Sequence, residues 1–191
     1  MRIFDSKKYI DNLINHYEQY FGVSGERLRM NKGPMEKLHK DFFILKFPPN
    51  NMHSMYCYCT VGMSVDRLDV NLIELFIYST KESDSLVDLL TYCASYHRMK
   101  LPLNLHHTVN IGLPWLENSI CDHGFISLPY LDGEALEIYR FDEYQIHCYW
   151  YIPITEKERD YKIKNGCEAL EQLFEDNQLD YLNPNRISLI N

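Results

Sequence analysis

The stretch from Tyr144 to Ile152 constrains this chain more than any other. Tyr144, Ile146, Cys148, Trp150 and Ile152 place an apolar or aromatic side chain at every second position, the period of a strand with one face buried. Pro153 has no N–H to give a ladder and is expected to end the strand. Thr155 and Glu158 then stand at the spacing of a capping box, in which a hydroxyl and a carboxylate each satisfy an orphan backbone donor at a helix start. A half-buried strand running at once into a capped helix fits a sheet with helices packed on it.

The rest of the chain fits that frame. Ile10, Leu13, Ile14 and Tyr17 fall at i, i+3, i+4 and i+7, so Ser6 to Phe21 reads as an amphipathic helix stopped by Gly22. Residues 23–41 are polar, with Gly25 and the Gly33-Pro34 pair, and predict turns with room for a short edge strand. Phe42–Phe47 reads as a strand closed by Pro48-Pro49, and Met55–Val61 and Leu72–Tyr78 as central strands, apolar on both faces. Ser83 or Ser85 opens a helix that turns Leu86, Leu89, Leu90 and Cys93 inward. Strands follow at Thr108–Ile111, Phe125–Leu128 and Leu136–Phe141, the last joined to the Tyr144 strand by a tight hairpin at Asp142-Glu143. Helices at Glu156–Lys164 and Cys167–Asp176, broken by Asn165-Gly166, close the chain. The expectation is a single α+β domain over residues 1–191, a mixed or antiparallel β-sheet with helices packed on it. Trp150 is expected in its core.

At 191 residues the chain is long enough to bury a real core. Its 15 tyrosines are amphipathic rings whose hydroxyls need partners, whether in ordinary packing or as anchors on a binding surface. Cys57, Cys59, Cys93, Cys121, Cys148 and Cys167 show no paired spacing, although Cys57 and Cys59, two apart in a strand, share one face. The start, Met1 to Lys8, lacks an apolar leader, and no run approaches the length of a membrane span. Reduced thiols in the cytoplasm are the expectation.

The net charge of −8 is unevenly placed. Residues 1–131 hold 14 acidic and 13 basic side chains, whereas residues 132–180 hold 13 acidic and 5 basic. An acidic field of this kind repels nucleic acid and attracts a basic partner. It is either a set of solvated helix faces or a binding surface. The candidates for the surface are Asp132, Glu134, Glu137, Asp142, Glu143, Glu171, Glu175 and Asp176.

Catalytic chemistry finds little footing. A metal site needs three or four converging ligands; His106 and His107, read as strand neighbours, point to opposite faces, and Cys121-x-His123 with His97 or His107 is a spacing common by chance. His147 lies on the face opposite Trp150 and reads as satisfied or exposed. There is no G-x-S-x-G elbow and no phosphate loop. The Asp142-Glu143 pair reads as turn chemistry. No catalytic residue, metal or cofactor is expected. Arg186 stands out among polar residues: its guanidinium is a fixed fork of donors suited to stapling the C-terminal tail to a carboxylate or to strand-end carbonyls.

Tyr151-Ile152-Pro153-Ile154-Thr155, Glu158, Asn165-Gly166 and the tail of Pro184, Arg186 and Ser188 together resemble the Suppressor-of-fused-like domain family. Three upstream blocks fit in order: Thr60-Val61-Gly62-Met63-Ser64, Ile73-Glu74-Leu75-Phe76-Ile77, and His107 to Pro114. The likeness covers about residues 40–188. Asn183 departs from it, since the family often has an acidic residue there. The resemblance implies a partner-binding protein, a regulator in animals. Short bacterial members resemble immunity proteins, the antitoxins of Bacillus LXG-type toxin modules, whose toxins include nucleases. The implied partner is a cognate toxin with a basic nuclease domain. A regulatory domain with an endogenous partner, or a hydrolase using Cys121 and His123, are the other two classes left open.

Overall fold

The structure is a computed structural model that describes residues 5–30, 33, 35–67, 71–99 and 102–191. The first four residues and Pro34, read above as a leaderless start and part of a turn, lie outside them. In chain order the elements are helix α1 (Ser6–Phe21), strand β1 (Glu26–Leu28), a 3-10 turn at Met35–Lys37, strands β2 (Phe43–Phe47), β3 (Tyr56–Val61) and β4 (Ile73–Ser79), and helix α2 (Asp84–His97). Strands β5 (Thr108–Asn110) and β6 (His123–Ser127), the single turn α3 (Glu134–Glu137), strands β7 (Ile138–Phe141) and β8 (Tyr144–Ile154), and helices α4 (Glu156–Asn165) and α5 (Cys167–Asp176) complete it. The result is one α+β domain on an eight-stranded mixed sheet, ordered β1-β2-β3-β4-β8-β6-β5 with β7 beside β8.

The alternation in β8 decides the layering. Ile146, Cys148, Trp150, Ile152 and Ile154 enter one core with α1 and α5, while Tyr149 and Tyr151 enter a second with α2. Ile146, Trp150 and Ile152 are each at most 5% exposed, so each contributes about 1.5–3 kcal/mol by area buried. β8 is flanked on both sides: β4 runs parallel to it from His147 to Trp150, and β7 and then β6 pair antiparallel with its first and last residues. Gly124 of β6 carries the ring of Tyr151, and a Cβ there would sit 1.9 Å from that ring.

Three expectations need correction. Pro153 does not end the strand: it pairs with Gly124 and β8 continues to Ile154. Its carbonyl accepts from Arg186 Nη2 at 2.9 Å, and a strand residue's N lies on the same side as its C=O. The missing donor therefore faces away from β6, where no ladder bond is needed. Leu136 and Glu137, read as strand, belong to α3; Gly133 at φ +66 turns the chain into the strong helix formers Glu134 to Glu137. His106 and His107 also precede β5 rather than sit in it, with His106 at φ +64.

The capping box forms as the spacing implies. Thr155 Oγ1 accepts from the Glu158 N–H at 3.3 Å and Glu158 Oε2 accepts from the Thr155 N–H at 2.8 Å. The hairpin turns at Asp142, whose φ of +50 is one that Asp tolerates. Ser83 is the N-cap of α2.

The Thr60–Ser64 block wraps a buried carboxylate. Glu74, in the middle of β4 and fully buried, accepts from the N–H groups of Gly62, Met63 and Ser64 at 3.2–3.3 Å. It also accepts from Thr60 Oγ1 at 2.6 Å and from Tyr9 Oη at 2.7 Å. Gly62 sits at φ +92, a conformation that only glycine adopts without strain.

Candidate functional site

α5 carries its apolar residues on one stripe, with Leu170 and Phe174 buried. Glu168, Glu171 and Glu175, at i, i+3 and i+7, run along the flank of that stripe. They form one wall of a groove of about 680 Å³. Trp150 and Ile152 of β8 and Ser127 of β6 line its floor, with Phe174, Leu179 and Tyr181. The register that sets Ser127 opposite Trp150 brings these strands' side chains together there. Tyr181 meets Trp150 edge to face at 4.7 Å. The facing wall is Tyr130 and Leu131, 59% and 61% exposed. Among the described residues no Lys or Arg lines the groove.

Glu171 is its fixed polar point. One oxygen accepts from the Ser127 hydroxyl at 2.9 Å and lies 3.6 Å from His106 Nε2. The His106 ring stacks over Phe125. Partial burial, followed by hydrogen bonding to Glu171, pushes the Tyr130 phenol up to about 12. The side chains of Glu168 and Glu175, both exposed, have no hydrogen-bond or ion-pair partner among the described residues.

The other acidic candidates scatter. Asp132 is turned into the fold, accepting from Tyr20 Oη at 2.7 Å and Tyr78 Oη at 2.6 Å, and so ties the loop bearing Tyr130 and Leu131 to α1 and β4. Glu137 bonds His147 Nδ1 at 2.9 Å. Asp142 pairs with Lys8 at 2.5 Å, Asp176 accepts from Gln172, Glu134 is exposed in α3, and Glu143 sits in the hairpin. Only Glu171 and Glu175 of the eight line the groove. Glu168 was missed in the sequence, although its i, i+3, i+7 spacing with them was visible there.

Arg186 lies across the end of β8. Nη1 and Nη2 donate to the two oxygens of Glu158 at 2.7 and 2.8 Å, and Nη2 also reaches the Pro153 carbonyl. Glu158 is fully buried and also accepts from the Leu189 N–H at 3.0 Å. Burial opposes its charge, but the guanidinium and the backbone donors hold its carboxyl below the usual range. The Thr155 hydroxyl meets Ser188 at 3.1 Å, so the tail is bound to the helix cap.

Cys121 and His123 form no catalytic pair. Both are buried, His123 Nδ1 bonds Asp122 at 2.7 Å, and burial pushes the Cys121 thiol up, away from the thiolate a nucleophile needs. Among the described residues no three His, Cys, Asp or Glu side chains cluster as a metal site requires. A second groove of about 400 Å³, between α2 and β5, is lined by Tyr92, Tyr96, Met99 and Val109 and, among the described residues, by no charged group. No helix among the described residues is long and apolar enough to cross a membrane.

With this geometry in view, the likenesses to known proteins are specific. The family model for Suppressor of fused protein (SUFU) matches residues 39–187. The chain belongs to the Suppressor of fused family. A SUFU homologue from Neisseria gonorrhoeae FA 1090, solved at 1.40 Å, superposes with a TM-score of 0.84 at 29% identity, covering 96% of this chain and 98% of that one. The fold also matches a chain of the Sufu–Fu complex (TM-score 0.71, 12% identity, 95% and 92% covered). Drosophila Suppressor of Fused matches at TM-score 0.71 and 13% identity, with 95% of this chain covered but 51% of the Drosophila one. Among curated proteins nothing matches. The Thr60–Ser64 and Ile73–Ile77 blocks that carried the resemblance meet in space as the cradle of Glu74, and the Thr155, Glu158 and Arg186 blocks meet at the end of β8.

Proposed function

We propose that this Suppressor of fused family member is a cytoplasmic, non-enzymatic immunity protein that neutralises a cognate toxin by stoichiometric binding. The toxin's toxic domain is basic, a nuclease of an LXG-type module, and the groove beside α5 is the face that meets it. The observation that carries the reading is an open aromatic and aliphatic groove walled on one side by three carboxylates, with no Lys or Arg among the described residues that line it. Apolar anchors of this kind slow dissociation, and charge of one sign accelerates encounter. An acidic face can occupy a nuclease's positive groove as phosphates do.

The test is co-expression with an LXG-type toxin encoded beside it. Restored growth, together with a stable 1:1 complex on size-exclusion chromatography, is the expected result. Growth arrest that persists with both proteins soluble, and no complex, overturns it. A second reading, regulation of an endogenous partner, draws on the neighbour solved as a Sufu–Fu complex; recovery of a non-toxin partner by affinity purification, with no toxin rescue, selects it.

A further inference from the structure

The spacing along α5 says what kind of segment the groove takes. Residues in a helix advance ~1.5 Å along its axis, so Glu168, Glu171 and Glu175 form a carboxylate row ~10 Å long, with ~6 Å between the last two. The row is preorganised at its centre, because Glu171 already accepts from Ser127 and lies beside His106, and open at both ends, where the Glu168 and Glu175 side chains are unpartnered among the described residues. Beside it lies apolar surface rather than further charge, with Leu131 and Tyr130 exposed across the groove. A free polyamine would leave that apolar wall uncovered, and an acidic or uncharged chain would leave the carboxylates facing low-dielectric surface without a countercharge.

We propose that the groove binds a protein segment carrying two cationic side chains ~6 Å apart, flanked by large apolar residues that cover the exposed Tyr130 and Leu131. Such a pair stands at i and i+4 in a helix or at i and i+2 in a strand. Arginine suits the site better than lysine, since its planar fork bonds a carboxylate while its face packs on a ring. The proposal rests on the groove being the toxin-binding face, but it concerns the chemistry of the occupant and is tested apart from the toxin.

The probe is a displayed library of random dodecamer peptides, panned on the wild-type protein and counter-selected on Glu168→Gln/Glu171→Gln/Glu175→Gln. The expected result is enrichment of peptides with two Arg or Lys at i, i+2 or i, i+4 beside Leu, Ile, Phe or Trp. A resynthesised winner should lose about tenfold or more in affinity on the triple variant. If that variant does not fold, Leu131→Asp, at an exposed position, replaces it with the same expectation. Enrichment of acidic or uncharged peptides, no enrichment, or equal binding to the variant overturns the proposal. So does displacement of the peptide by equimolar spermidine, which would assign the groove to a polyamine, or a concentration-dependent dimer in sedimentation that blocks the peptide. Toxin rescue that survives in the triple variant removes the groove and leaves the immunity reading standing; failed rescue with successful panning does the reverse.

Discussion

Glu74 and Glu158 are both fully buried carboxylates, and the fold accommodates them in opposite ways. Glu158 is given a cation, with the two arms of Arg186 reaching its two oxygens. Glu74 is given five neutral donors and, among the described residues, no cation bonded to it. The consequence is a difference of sign. Arg186 keeps the Glu158 carboxyl below its ordinary range, whereas burial outweighs the donors at Glu74 and pushes it up to about 7. Glu158 therefore stabilises the fold above the unfolded carboxyl's pKa and loses that contribution as pH falls through its lowered folded value. Glu74 favours the protonated folded state: its contribution is complete below about 4.5 and is lost as pH rises through about 7. The hydroxyls of Thr60 and Tyr9 can reverse to accept that proton, which three backbone N–H groups alone could not do.

The largest effect should come from breaking the ion pair. Arg186→Ala leaves a buried carboxylate without its partner and should lower stability by about 3–5 kcal/mol, read as a large drop in melting temperature at pH 7. An unchanged melting temperature would mean that the tail is not held by this residue. Glu74→Gln comes next. Both of its oxygens accept from N–H donors, so a Gln amide must turn its NH₂ toward one of them and should cost about 1–3 kcal/mol. The same variant should flatten the decline in melting temperature between pH 5 and pH 8; if the decline persists, Glu74 is not its source. Tyr9→Phe removes one donor and leaves four, for a loss of about 1 kcal/mol, measurable by urea denaturation. The smallest effect belongs to a third kind of carboxylate, the exposed one. Glu168→Gln/Glu175→Gln should move stability by no more than about 0.5 kcal/mol, while slowing association with the partner and weakening the dependence of that rate on salt. A large loss of stability would make these residues structural.

Of the two buried sites, the Glu158 site was the more legible. Thr155 and Glu158 stand three residues apart, and Arg186 is an isolated fork in a closing tail, so local spacing carried most of the information. Glu74 carried none locally: its partners come from α1, the end of β3 and the loop after it, and only a Glu inside an otherwise apolar strand hinted at them. The two misread boundaries have different causes, one tertiary and one local. Pro153 is tolerated because its open side faces Arg186, and Leu136 turns helical because Gly133 redirects the chain. For the groove, the acidic bias of the final third was visible in the sequence. Which carboxylates share a wall depended on how α5 rolls against β6 and β8.

The placement of β8 also fixes the order in which this protein can assemble as it is synthesised. Strands β1 to β4 form a meander from neighbouring segments, and β5 pairs with β6. Within the sheet, among the described residues, those two pieces are joined by β8, which pairs β4 on one edge and β6 on the other and follows both in the chain. Until the chain has passed Ile154, β4 and β6 each lack the neighbour that covers one edge. Closing the loop from β4 to β8 is the slow, non-local event, and the exposed edges are the interval in which the nascent chain is most open to mispairing with its neighbours. Arg186, which holds the Pro153 carbonyl and the Glu158 carboxylate just beyond it, ties that bridging strand down at its far end.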